Sequence, residues 1–114
     1  MELRWVYMTA KDQAEAEAIG KELVKRRLAA CVNILPGMKS IYWWENVVEE
    51  SQEVVLIAKT RATLMEPLLA AVRSLHGYQV PCVVSLPILE GNADYLRWLV
   101  AETISSPPEK STTT

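Results

Sequence analysis

Along this chain the spacing of apolar residues changes repeatedly, and each change marks an element. Leu3–Thr9 carries Trp5, Val6 and Tyr7, side chains that favour the extended state, and predicts a first strand. Residues 11–27 switch to helical spacing, with Ala16, Ile19 and Leu23 as a narrow apolar stripe between charged neighbours. Thr9 with Asp12, or Asp12 with Glu15, would cap its start, and Arg26 and Arg27 complement its dipole at the end. Leu28–Leu35 is almost wholly apolar and predicts a strand buried on both faces. Pro36-Gly37 interrupts it, as a turn or as a bulge bending one long strand, before Ser40–Trp44 resumes the extended pattern. Glu45-Asn46 predicts a hairpin turn, because Asn tolerates left-handed backbone, and Gln52–Thr60 is the returning strand.

Residues 62–76 form a second helix, with Thr63 and Glu66 as a capping box, Pro67 in its first turn, and Leu64, Leu68, Val72 and Leu75 as its apolar face. Gly77 would stop it in the left-handed conformation after His76. Tyr78–Leu89 is a fourth extended segment, and Pro81 and Pro87 mark its ends or an edge position. Asn92 caps a last helix that turns Tyr95, Leu96, Leu99 and Thr103 inward. This order is that of an α+β, ferredoxin-like split βαβ sandwich with a long bent hairpin and an extra C-terminal helix. Residues 1–104 make one domain, and 105–114, which include Pro107-Pro108, make a flexible polar tail.

Composition narrows the function. Among 114 residues, 12 Lys and Arg against 14 Asp and Glu give a net charge of −2, which argues against a nucleic-acid binder and a polybasic membrane-surface protein. Two cysteines without C-x-x-C spacing, no signal-peptide pattern and no long apolar run place the protein in the cytoplasm. No nucleophile motif or phosphate-binding loop occurs. The single histidine, His76, either complements a helix end or ligates a metal. Its soft candidate partners are Met8, Cys31 and Cys82, with no motif spacing between them. Cys31, in the run Ala29–Val32, also fits a small inert core residue. Adjacent strand residues point to opposite faces, so one of Trp43 and Trp44 leaves the core side, as a contact between subunits would require. The acidic stretch 45–53 reads as solvated strand and turn.

Arg27-Leu28-Ala29-Ala30-Cys31-Val32-Asn33-Ile34, then Pro36-Gly37, then Ser40-Ile41-Tyr42-Trp43-Trp44-Glu45 resemble the CutA family of divalent-cation-tolerance proteins. Lys59-Thr60-Arg61, His76–Pro81, Leu86-Pro87-Ile88 and Tyr95–Leu99 follow in the family's order, so the resemblance spans about residues 3–104. It implies a non-enzymatic homotrimer that pairs its hairpins, here about residues 28–60, between subunits. It implies a role in tolerance of copper or another divalent cation, with weak copper binding and no required cofactor. The metal-ligand positions it implies fall on Met8, in place of a cysteine, and on His76, preceded by Leu75 where a second histidine would stand; Cys31 matches a family cysteine. The architecture also resembles PII-type signalling trimers, so the alternative is a signalling or scaffold trimer that binds a metabolite or partner protein in clefts between subunits.

Overall fold

Strand β1 (Leu3–Ala10) lies between two antiparallel neighbours, and the other elements are arranged around it. The computed structural model describes residues 1–105; all of the expected tail except Ser105 lies outside the described residues. After β1 come α1 (Gln13–Lys25), β2 (Cys31–Trp44), β3 (Val47–Arg61), a 3-10 turn (Ala62–Leu64), α2 (Met65–Leu75), β4 (Val83–Ile88) and α3 (Ala93–Ala101). The four strands form one antiparallel sheet in the order β2-β3-β1-β4, so the fold is mixed α+β. Cross-strand partners share a face. Val6, Met8 and Ala10 therefore align with Val54, Leu56 and Ala58 on one face, where Ala16, Ile19 and Leu23 of α1 and Leu68, Ala71 and Val72 of α2 cover them. On the opposite face, Leu99 of α3 packs on Leu3 and Ala30 at one end of the sheet.

Local chemistry accounts for the element ends. Asp12 caps α1 by accepting from the Glu15 N–H at 2.8 Å, while Glu15 reaches back to the Lys11 N–H at 3.1 Å. The Asp12–Glu15 alternative is thus the one that forms. The helix closes with Leu28 N–H on the Leu23 carbonyl at 2.9 Å and Arg27 N–H on Val24 at 3.0 Å, and Arg27 takes a left-handed φ of 58°. That cap uses up Leu28 and its neighbours, so β2 begins at Cys31, three residues after the predicted start. β2 is also an edge strand, which corrects the expectation of burial on both faces. Val32 and Ile34 pack on the core, whereas Asn33 and Leu35 are exposed.

Pro36-Gly37 is a bulge. Leu35 opposes Val55 and Met38 opposes Glu53, so β2 carries one extra residue there, and Gly37 adopts φ 84°. The hairpin then runs on to a turn with Glu45 at φ 49° and Asn46 at φ 65°, and β3 starts at Val47, ahead of the predicted Gln52. The Thr63–Glu66 box does not form; a 3-10 turn leads into α2, which has no side-chain cap. Its end also departs from expectation. His76 is extended (φ −88°, ψ 140°), and Gly77 does not take the left-handed conformation. Residues 77–82 are irregular, which shortens the fourth strand to an edge strand that tolerates Pro87. Asn92 caps α3 through the Asp94 N–H at 3.0 Å, but Tyr95 is not turned fully inward and stays 38% exposed. Buried Arg61 at the end of β3 holds the far end of α3, donating to the Thr103 hydroxyl at 2.8 Å and the Thr103 carbonyl at 3.0 Å.

A Cβ at Gly37 would meet nothing within 4 Å, so only its positive φ opposes a side chain. Gly37→Ala is expected to lower unfolding free energy by about 1–2 kcal/mol, the cost of left-handed backbone for an L-residue. Urea unfolding of the two proteins measures the difference.

Candidate functional site

A hollow of about 710 Å³ opens where the hairpin leaves the body of the sheet. Its floor comes from β1 and β3, through Tyr7, Thr9 and Glu53, on the face away from α1 and α2. One wall comes from the far half of β2, through Ser40, Tyr42 and Trp44, and the other from the irregular 77–82 segment, through Tyr78 and Cys82. The bulge makes this possible. With side chains alternating at a period of two, Tyr42 and Trp44 would point away from Leu35's face if the strand were regular. The extra residue puts them in phase with it.

The polar groups here face one another. Tyr7 Oη donates to Met38 Sδ at 3.3 Å, and the Tyr42 and Ser51 hydroxyls lie 3.3 Å apart. Burial pushes the Tyr78 phenol well above the ordinary tyrosine value, helped by its hydrogen bond to Glu53 and that carboxylate's charge. Tyr7 is raised by burial, then by Cys82 and Glu53. The Cys82 thiol is raised by burial first and Glu53 second. Glu53 itself is only 8% exposed, which corrects the reading of 45–53 as a solvated run; residues 45–50 are exposed.

The three residues singled out as metal ligands are not brought together. Met8 is 1% exposed in the core beneath α1 and α2. Cys31 pairs with Lys59, in line with Trp5, and so lies on the opposite face of the sheet, half-buried, with its thiol 3.7 Å from Asn33 Oδ1. It is not part of the core. The His76 ring is fully buried and both nitrogens are engaged: Nε2–H donates to the Thr9 carbonyl at 2.7 Å, and Nδ1 accepts from the Tyr78 N–H at 3.0 Å. Glu15 lies beside it, 3.7 Å from Nε2, and its other oxygen accepts from the Gly77 N–H at 2.9 Å. Ligation through either nitrogen would break one of these bonds, so the set does not fit a metal ion as it stands. Among the described residues, no group of three or more His, Cys, Asp or Glu could hold a metal ion, and no helix is long and apolar enough to cross a membrane. Of the paired tryptophans, Trp43 is 73% exposed and Trp44 lines the hollow.

A family model described as CutA1 divalent ion tolerance protein matches residues 4–102. The divalent-cation tolerance protein CutA of Thermus thermophilus is 49% identical over 94 residues, covering 82% of this chain and 91% of its own length. The chloroplastic protein CutA 1 of Oryza sativa is 43% identical over 101 residues, covering 89% of this chain. The chain spans only 57% of that rice relative's length. Among solved structures, CutA1 from Oryza sativa superposes with a TM-score of 0.91 at 40% identity, covering 93% of this chain and 97% of that one. The divalent cation tolerance protein of Thermus thermophilus gives 0.87 at 46% identity, covering 89% and 98%.

Tyr7 and Tyr78 have folded-state values above the 10.0 of an unperturbed tyrosine. The folded state therefore holds their protons more tightly than the unfolded state. The stability this contributes is complete below about pH 10 and is lost as pH rises toward the folded values. Urea midpoints measured from about pH 9 to 11 are expected to fall, and to fall less steeply in Tyr78→Phe.

Proposed function

The chain belongs to the CutA1 divalent ion tolerance family, and from that premise we propose that it serves divalent-cation tolerance as a non-enzymatic, cytoplasmic homotrimer of ferredoxin-like subunits. The observation that carries this reading is the apolar surface of the hairpin. Ile41 and Trp43 on β2 and Val47 and Val48 on β3 are all more than half exposed. On the opposite edge, Val84 and Leu86 of β4 and Leu89 beyond it are likewise exposed. A soluble monomer rarely exposes this many large apolar side chains on a hairpin and at both ends of a sheet, and two open sheet edges invite pairing with further copies. The non-enzymatic reading is supported by the state of the histidine and of the thiol that lines the hollow. The single histidine spends both nitrogens on the backbone, and the Cys82 thiol is held in its less nucleophilic, protonated form.

Light scattering tests the assembly. The expected mass is three times the chain mass of 12.8 kDa, and Trp43→Asp, which sets a charge into the apolar band, is expected to shift it toward one chain. A monomeric parent protein would end this reading.

Copper in its reduced state suits the sulfurs of Cys31 and Met8 and the imidazole of His76. Of the three, Cys31 is the accessible donor, since Met8 is in the core and His76 would first have to release Thr9 or Tyr78. Copper binding in this reading is therefore weak and centred on the thiol. Calorimetric titration with reduced copper is expected to give weak binding that survives His76→Ala and is lost in Cys31→Ser. Tight binding abolished by His76→Ala would overturn this and make His76 a ligand.

A second reading is favoured by the hollow itself. Its volume lies in the range of small-molecule sites, which suits a PII-like signalling or scaffold trimer that holds a ligand beside each hairpin.

A further inference from the structure

We propose that the hollow at the base of the hairpin binds a small organic cation, a substituted ammonium group, with its charge against Glu53 and its carbon substituents against the aromatic faces of Tyr42, Trp44 and Tyr78. This rests on the second reading above only in placing a ligand there. The residues that line the hollow include one charged side chain, Glu53, and neither lysine nor arginine. Glu53 is only 8% exposed as a residue, yet it forms no ion pair among the described residues. A largely buried carboxylate with no cationic partner is stabilised by a cation brought against it. Anions are excluded by the same feature, since they would meet Glu53 and find no cationic donor.

The rest of the lining decides which cation. A divalent metal ion takes six or more oxygen ligands, or several nitrogen and sulfur donors. The hollow supplies one carboxylate, with a single thiol nearby, and no cluster of ligating residues. Four aromatic side chains, Tyr7, Tyr42, Trp44 and Tyr78, line the hollow together with that carboxylate instead. Aromatic faces carry negative quadrupole density and attract weakly hydrated ammonium groups, most strongly in a site shielded from water. Carboxylate and rings together recognise positive charge spread over carbon, which neither would select alone.

The test is tryptophan emission of the assembled protein titrated with choline chloride, against sodium chloride at equal ionic strength and against 3,3-dimethylbutan-1-ol, the uncharged isostere of choline. Saturable binding of choline is expected, weakened about tenfold or more in Glu53→Gln and in Tyr42→Leu and retained in Tyr42→Phe, which keeps the ring. Circular dichroism confirms that each variant folds; if Glu53→Gln does not, the Tyr42 pair still decides the aromatic contribution. Equal binding of the neutral isostere would overturn the cation while leaving a ligand site in place. No saturable response to choline in the intact assembly would overturn the proposal outright, and so would choline binding unchanged by Tyr42→Leu.

Discussion

One extra residue in β2 sets the phase of everything beyond it. Before the Pro36-Gly37 bulge, Asn33 and Leu35 face away from α1 and α2. After it, Ser40, Tyr42 and Trp44 take over that face, although their sequence parity is the opposite. Bulges also sharpen twist and bend a strand. A long hairpin can therefore leave the plane of the sheet and still keep its ladder, with Met38 opposite Glu53 and Trp44 opposite Val47. The hollow is the space between that departing ribbon and the segment that follows α2. A regular strand at this point would have given neither the space nor its aromatic wall.

The other wall depends on a second arrangement, centred on Glu15. Its two carboxylate oxygens accept from the Lys11 and Gly77 N–H groups, and His76 ties the Thr9 carbonyl to the Tyr78 N–H. The start of α1, the end of β1 and the exit from α2 are thereby joined through four backbone groups that would otherwise lie near the surface without partners. The histidine acts here as a connector. Its donor and acceptor sides are both needed, which no other side chain of similar size provides in the same geometry.

What the chain's pattern made legible follows from which forces are local. The β1 and α1 spans, the Asp12 cap and the Glu45-Asn46 turn rest on neighbouring residues, and they were readable. The β2 start was misplaced because three apolar residues, Leu28 to Ala30, serve a helix cap and crossing that look like strand in one dimension. The end of α2 was misplaced for a similar reason. His76-Gly77 resembles a left-handed stop, but a tertiary bond to Thr9 pulls His76 into extended backbone. The site was harder still. Tyr7, Tyr42, Glu53, Tyr78 and Cys82 are far apart in sequence and meet only through the sheet register and the bulge. Glu53 had one readable sign: it is in phase with Val55 and Ile57, the alternation of a residue facing protein. Met8 and Cys31 share soft chemistry, yet an odd number of register steps separates them, which sets them on opposite faces.

Arg61 anchors α3 in a way that has a bearing on acid tolerance. Its guanidinium is satisfied by the Thr103 hydroxyl and by carbonyls at the helix's negative end, without a carboxylate. Guanidinium and peptide carbonyl both keep their charge state across the whole range in which proteins live. Neutralising the molecule's carboxylates in acid therefore removes surface ion pairs such as Arg27–Glu102, but leaves this attachment untouched. The last helix is moored by a contact that has no titration curve.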